Sequence, residues 1–239
     1  MRPLEHINIV LVRPQQAGNI GLAARAIANH GIGQLTLVSP AGFDPERARW
    51  MAPKSHHVIN NARLCATVSE AVADAARVVA TTARSRSRDW PIQTPEEFGP
   101  SVAEKRLPTA ILFGPEDSGL SNDDLRFVES LLHFPTTDVR SLNLGQAVTA
   151  TAAALSMGTR TAEPAPTTPN VASAGRREDL VQRALTVLET AGYMDGRSAF
   201  FVSNTLARIA GRADLSAEEV NNLLGMVKPA QWWSTERSE

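Results

Sequence analysis

Cysteine is almost missing from this sequence: Cys65 is the only one in 239 residues. A chain with one thiol forms no internal disulfide and assembles no multi-thiolate zinc or iron–sulfur centre. Histidine is sparse too, and the one adjacent pair, His56 and His57, has no His or Cys near it at metal-ligand spacing, so no metal is expected. An excess of one charge sign is also lacking. The formal net charge is -1, whereas phosphate binding normally shows as a basic surplus that displaces counterions, so composition alone argues mildly against a nucleic-acid partner. No long hydrophobic run appears. The first apolar segment, Ile7 to Val12, is far too short for a secretion signal or a membrane span, which makes the cytoplasm the expected compartment.

What is present points to an α/β protein. With 43% hydrophobic residues the chain can bury a core, and its length fits one domain with a small appendage. Short apolar runs alternate with Ala-rich stretches, the pattern of parallel strands joined by crossover helices. Strands are expected near Ile7 to Val12, Leu35 to Val38, Val78 to Thr81, Thr109 to Phe113 and Leu132 to Phe134, all apolar enough to be covered on both faces. Helices are expected over Asn19 to Asn29, Ser69 to Ala75, Asn122 to Ser130 and Gly145 to Met157. Gly31 and Gly33 stand where a left-handed C-cap would need them, and Ser121 with Asp124 resembles an N-cap.

The organisation changes after residue 158. Residues 159–175 are rich in Thr, Ala, Pro and Ser, with Pro164, Pro166 and Pro169 excluding regular structure, and read as a linker between a domain at 1–158 and a helical extension at 176–239. Three helices are expected in that extension, near Arg177 to Thr190, Ala199 to Ile209 and Ala217 to Met226. From Arg176 on, eight Lys/Arg face nine Asp/Glu, so the extension has no electrostatic pull towards RNA. Trp232 and Trp233 could stack on bases, but aromatics near a terminus more often pin it to a core.

Three segments follow strands, where ligand sites of open α/β sheets collect. The first runs Gly18-Asn19-Ile20-Gly21-Leu22-Ala23-Ala24-Arg25. Ile20, Ala24 and Ile27 share one helical stripe and Arg25 points away from it; taken alone, this gives a solvated arginine. The turn lacks the third glycine of a dinucleotide fingerprint, and Val38-Ser39-Pro40 stands where an acidic residue would hold a ribose, which disfavours a nicotinamide enzyme. The second segment, Leu112-Phe113-Gly114-Pro115-Glu116-Asp117-Ser118-Gly119-Leu120-Ser121, and the third, Ser141-Leu142-Asn143-Leu144-Gly145-Gln146-Ala147-Val148, are each ordinary as a turn and an N-cap region. A local basic cluster, Arg84, Arg86 and Arg88, is interleaved with serines ahead of Trp90. Such a patch can bind where net charge cannot.

Together, in this order, the three segments resemble the signature motifs of the SpoU-type SPOUT methyltransferases over about two-thirds of the chain. Asn19, Gly21, Ala24 and Arg25 match the first motif, Phe113, Gly114, Glu116, Gly119 and Leu120 the second, and Ser141 to Val148 the third. Pro115 departs from the arginine or asparagine often found there. The Thr82-Ala83-Arg84-Ser85-Arg86 segment and the helical extension are similar to the TrmJ branch.

The resemblance implies a mostly parallel sheet ending in a deep trefoil knot, an exception to the rule that chains do not thread. It implies transfer of a methyl group from S-adenosylmethionine to an RNA ribose 2'-hydroxyl, in that branch at position 32 of tRNA, by a homodimer with active sites shared between subunits. By the same resemblance Arg25 is the central catalytic residue, supported by Asn19, Glu116, Ser141 and Asn143. Thr81, Leu112, Phe113, Gly114, Glu116, Gly119, Val139, Ser141, Leu142 and Leu144 would hold the cofactor, and Arg25, Arg84 and Arg86 the RNA. Methylation of rRNA or of another tRNA position, or an RNA-binding protein that keeps the knot without catalysis, are the alternatives.

Overall fold

The computed structural model describes residues 4–82, 90–137, 141–159, 170–194 and 198–236. Among these residues seven strands form one sheet: β1 (Ile7–Val12), β2 (Gln34–Val38), β3 (Arg63–Cys65), β4 (Arg77–Thr82), β5 (Ile92–Gln93), β6 (Thr109–Phe113) and β7 (Ser130–His133). Their order is β3-β2-β1-β6-β4-β7-β5, and every neighbouring pair is parallel. The helices are α1 (Ala17–His30), α2 (Pro45–Trp50), α3 (His56–Asn60), α4 (Val68–Val72), α5 (Pro95–Lys105), α6 (Leu144–Gly158), α7 (Ala174–Thr190), α8 (Ala199–Arg212) and α9 (Ala217–Glu236).

Both faces of the sheet are covered, and the period-2 alternation of β6 shows how. Ile111 and Phe113 enter a core shared with Ile20 and Ile27 of α1, Phe98 of α5 and Val148 and Leu155 of α6. Ala110 and Leu112 enter the opposite core with Val68 and Val72 of α4, Leu125 and Ala174. Helix α6, the next helix in the chain after β7, packs on α1 and α5. The result is an α/β fold on a parallel sheet, with helices α7 to α9 appended behind it.

Several elements differ from the sequence expectation. The helix expected over Asn122 to Ser130 is a single 3-10 turn, Asp124–Phe127. Strand β7 begins at Ser130 and takes Leu131 and Leu132 into its ladder with β4, which ends the helical turn. Helix α4 begins at Val68, where Thr67 caps it, and stops at Val72. Gly31 is the left-handed C-cap of α1, whereas Gly33 serves close approach, since a Cβ there would stand 1.9 Å from the Glu5 carbonyl oxygen. Helix α5, with its Thr94-to-Glu97 capping box and Pro95 in the first turn, was not expected.

The C-terminal helices are fastened to the sheet domain. Ala174 and Gly175 donate backbone N–H groups to the Ala75 and Ala73 carbonyls at 2.7 and 3.0 Å. Arg177 is buried; it donates to the Ala76 and Ala172 carbonyls and, at 2.5 Å, to the Glu129 carboxylate. Arg126 pairs with Glu178, and Lys105 with Asp214 at 2.9 Å. Residues 160–169 of the expected linker lie outside the described residues, while Val171 already bridges to Ser216.

Candidate active site

Because the strands are all parallel, their C-terminal ends open on one edge, and β1, β6, β4 and β7 are adjacent there. That adjacency brings the loops after β1, β6 and β7 together, although Gln15 in the first stands 101 residues before Glu116 in the second.

A chain of polar side chains binds the three loops. Asn19, buried in the first turn of α1, donates its amide Nδ2 to Glu116 Oε1 at 2.8 Å. Its own Oδ1 accepts from Asn143 Nδ2 at 3.0 Å. Asn143 Oδ1 in turn accepts from the Gln146 N–H at 3.3 Å and so caps α6. Glu116 also accepts the backbone N–H groups of Gln15 and Gln16, at 3.0 and 3.3 Å. An amide donates at one end and accepts at the other, as the middle position of this chain demands.

A second clamp lies beside the first. Arg13, at the end of β1 with φ 48°, donates to both oxygens of Asp124, at 3.1 and 2.5 Å. Ser121 donates its N–H and hydroxyl to the same carboxylate, each at 2.7 Å. Burial alone would raise the Asp124 pKa, but the hydrogen bonds from Arg13 and Ser121 outweigh it and hold the carboxyl below its ordinary value. The exposed Asp117 carboxyl is also held low, by hydrogen bonds from Gln15 and Ser118.

The remaining expected residues fall in distinct places. Arg25 is exposed on α1 and makes no hydrogen bond or ion pair with any described residue. Helical spacing puts it on the stripe of Gly18 and Gly21, a different face from Asn19. Ser141 and Leu142 are exposed, and Leu144 is buried under the start of α6. The side chains of Leu112 and Phe113 are core, so only their backbone is open to a ligand; the Leu112 carbonyl accepts the Thr81 hydroxyl at 3.2 Å. Gly114 is required sterically, since a Cβ would stand 2.3 Å from the Leu120 nitrogen, whereas one on Gly119 would enter open space. Pro115 is buried, and its carbonyl accepts the Gly119 N–H at 2.9 Å. Val139, Arg84 and Arg86 lie outside the described residues. Sequence reasoning missed Arg13, Gln15, Gln16 and the role of Asp124. The Ser121/Asp124 cap was a signal for the last; nothing marked the others.

Among the described residues no three His, Cys, Asp or Glu side chains gather as metal ligands.

Comparison with known proteins agrees with this geometry. The chain is 41% identical over 146 residues to an uncharacterized tRNA/rRNA methyltransferase, LasT, of Escherichia coli, covering 59% of this chain and 64% of LasT. It is 33% identical over 231 residues to the tRNA (cytidine/uridine-2'-O-)-methyltransferase TrmJ of Sodalis glossinidius, covering 94% of this chain and 91% of that one. The crystal structure of TrmJ from Z. mobilis superposes with a TM-score of 0.83 at 33% identity, over 93% of this chain and 97% of that chain. Residues 6–153, which carry all three clamped loops, match a single family model, and the chain belongs to the SpoU rRNA Methylase family.

Proposed function

We propose that this protein methylates the ribose 2'-hydroxyl of tRNA, at position 32 of the anticodon loop, with S-adenosylmethionine as donor. The observation that carries the reading is the Glu116–Asn19–Asn143 chain, which holds three loops together at the sheet edge while Arg25 is exposed and pairs with no described residue. Family membership and the near full-length likeness to tRNA 2'-O-methyltransferases support it. We assign the reaction to residues 1–158, with 159–175 as linker and 176–239 as helical extension, in a cytoplasmic homodimer.

The chemistry asks little of the protein. The donor supplies a methyl group already activated as a sulfonium, so the chain has to align the hydroxyl in line and ease removal of its proton. The backbone of Leu112 to Gly114 and of the loop 139–144, with Thr81, Gly119 and Leu142, would hold the donor. Glu116, Asn19 and Asn143 keep those loops in register, and Ser141 stands exposed beside them. Arg25 is always charged at neutral pH and is no base. It fixes an RNA phosphate and stabilises the developing alkoxide, as a preorganised cation does in a partly dry site. Arg84 and Arg86 hold the RNA backbone.

Transfer of labelled methyl from S-adenosylmethionine to a tRNA transcript, followed by mapping of the modified nucleotide, tests this. A single 2'-O-methyl group at position 32 is expected. A methyl group on a base, or transfer to rRNA alone, would overturn the assignment.

A further inference from the structure

On α1, the face that carries Gly18 and Gly21 is covered by α2 and the turn that follows it. A Cβ on Gly21 would stand 2.2 Å from the Ala48 carbonyl oxygen, and one on Gly18 lies 3.8 Å from Met51 Cγ. Residues 48–51 therefore lean on the same turn whose next residue, Asn19, ties the catalytic loops together.

The outer side of this contact is unusual. Trp50 is 78% exposed, the most exposed of the large hydrophobic side chains described. It borders an open pocket of about 690 Å³ lined also by Glu46, Arg49, Pro53, Lys54 and His56. The pocket is shallow and open to solvent, so a flat ring can reach the indole from outside. Two of the nearby cations are already engaged, Arg49 by Glu46 and Asn60 and Arg47 by Asp44. Lys54 is not: it makes no hydrogen bond or ion pair with a described residue. Its backbone sits at φ 65°, in the left-handed region that a lysine rarely adopts, and so projects from a fixed turn.

We propose that Trp50 and Lys54 form a docking platform for an unpaired stretch of the substrate RNA beside the reacting nucleotide. The indole stacks on a base and the ammonium holds a phosphate. This rests on the reading of the protein as an RNA methyltransferase. An exposed aromatic beside an unmatched cation is the combination that binds single strands, because every base has a π-face and every linkage a charge. A protein partner would be expected to meet an apolar centre depleted of charge, whereas Glu46, Arg49, Lys54 and His56 rim this indole.

The test uses the full chain, an unmodified tRNA transcript and the variants Trp50→Ala, Trp50→Phe and Lys54→Asn, asparagine being tolerant of the left-handed backbone. Trp50→Ala and Lys54→Asn should each raise KM for the transcript about tenfold, with kcat and cofactor affinity within about twofold of wild type. Trp50→Phe should keep most of the wild-type KM. Lys54→Asn should lower the slope of log affinity against log salt by about one, and Trp50→Ala should leave it unchanged. Unaltered KM and slope in active variants would overturn the platform. So would a monomer–dimer equilibrium that shifts in Trp50→Ala by sedimentation, because the patch would then join two copies. If the wild type transfers no methyl group, the enzymatic reading fails separately, and filter retention of the transcript decides the platform by the same tenfold criterion.

Discussion

Asn19 uses both ends of its amide, and its neighbours explain why neither a carboxylate nor a hydrophobic side chain fits. A carboxylate at this position would face Glu116 at hydrogen-bond distance, and a hydrophobic residue would leave Glu116 and Asn143 without their partner. Arg25 is the opposite case, an exposed side chain that pairs with no described residue. Arg25→Ala should therefore leave folding stability and S-adenosylmethionine affinity nearly unchanged while methyl transfer falls by at least about a hundredfold, the scale of losing one preorganised electrostatic partner. Calorimetric cofactor binding run beside the methyl-transfer assay checks this, and activity within a few-fold of wild type would refute it. Asp124 gives a prediction of a different kind. Its folded pKa lies below the unfolded one, so its contribution is present at neutral pH and is lost as pH falls through the carboxylate range. Asp124→Asn should cost about 1–3 kcal/mol in urea unfolding at pH 7, and the difference from wild type should shrink in acid.

At the scale of elements, the strands that carry the site were legible because strands buried on both faces read as continuous apolar runs: β1, β2, β4 and β6 lie within a residue of expectation. Short β3 and β5 were not legible, since three and two residues carry no period. The turn at Asp124–Phe127 misled for a reason local patterning cannot contain: Asp124 is held by Arg13, 111 residues earlier in the chain. The site itself was legible as three motifs, whose Asn19, Glu116 and Asn143 join the loops, but the added hold of the Gln15 and Gln16 backbone on Glu116 has no sequence signature. Helix α7 is anchored by Arg177 against Glu129, whose pKa burial pushes up to about 7 while Arg177 and Arg77 pull it back and Asp214 adds to the rise. A folded pKa above the unfolded 4.5 means unfolding releases a proton, so this group's contribution declines as pH rises from about 4.5 to about 7. Arg177→Met removes the countercharge and should carry that decline on to higher pH. Thermal unfolding of wild type and variant between pH 5 and pH 8 measures it, and parallel profiles would show that the pair does not govern docking of α7.

For the whole molecule, the site leaves Arg25 on one face of α1 while Asn19 of the same helix points into the clamped loops. The two lie six residues apart on different faces of α1, which favours the proposed homodimer. In it the cofactor loops of one subunit would work with Arg25 of the other. Two inactive proteins should rescue each other under this arrangement. Arg25→Ala supplies intact loops, and Gly114→Ala, whose Cβ has no room against the Leu120 nitrogen, supplies an intact arginine. In a mixed dimer one site collects both defects and the other none, so random exchange of subunits should restore about a quarter of wild-type activity. If Arg25 instead serves the loops of its own chain, every site in the mixed dimer carries one defect, and the mixture of the two purified variants, dissociated and reassembled, stays as inactive as its parts.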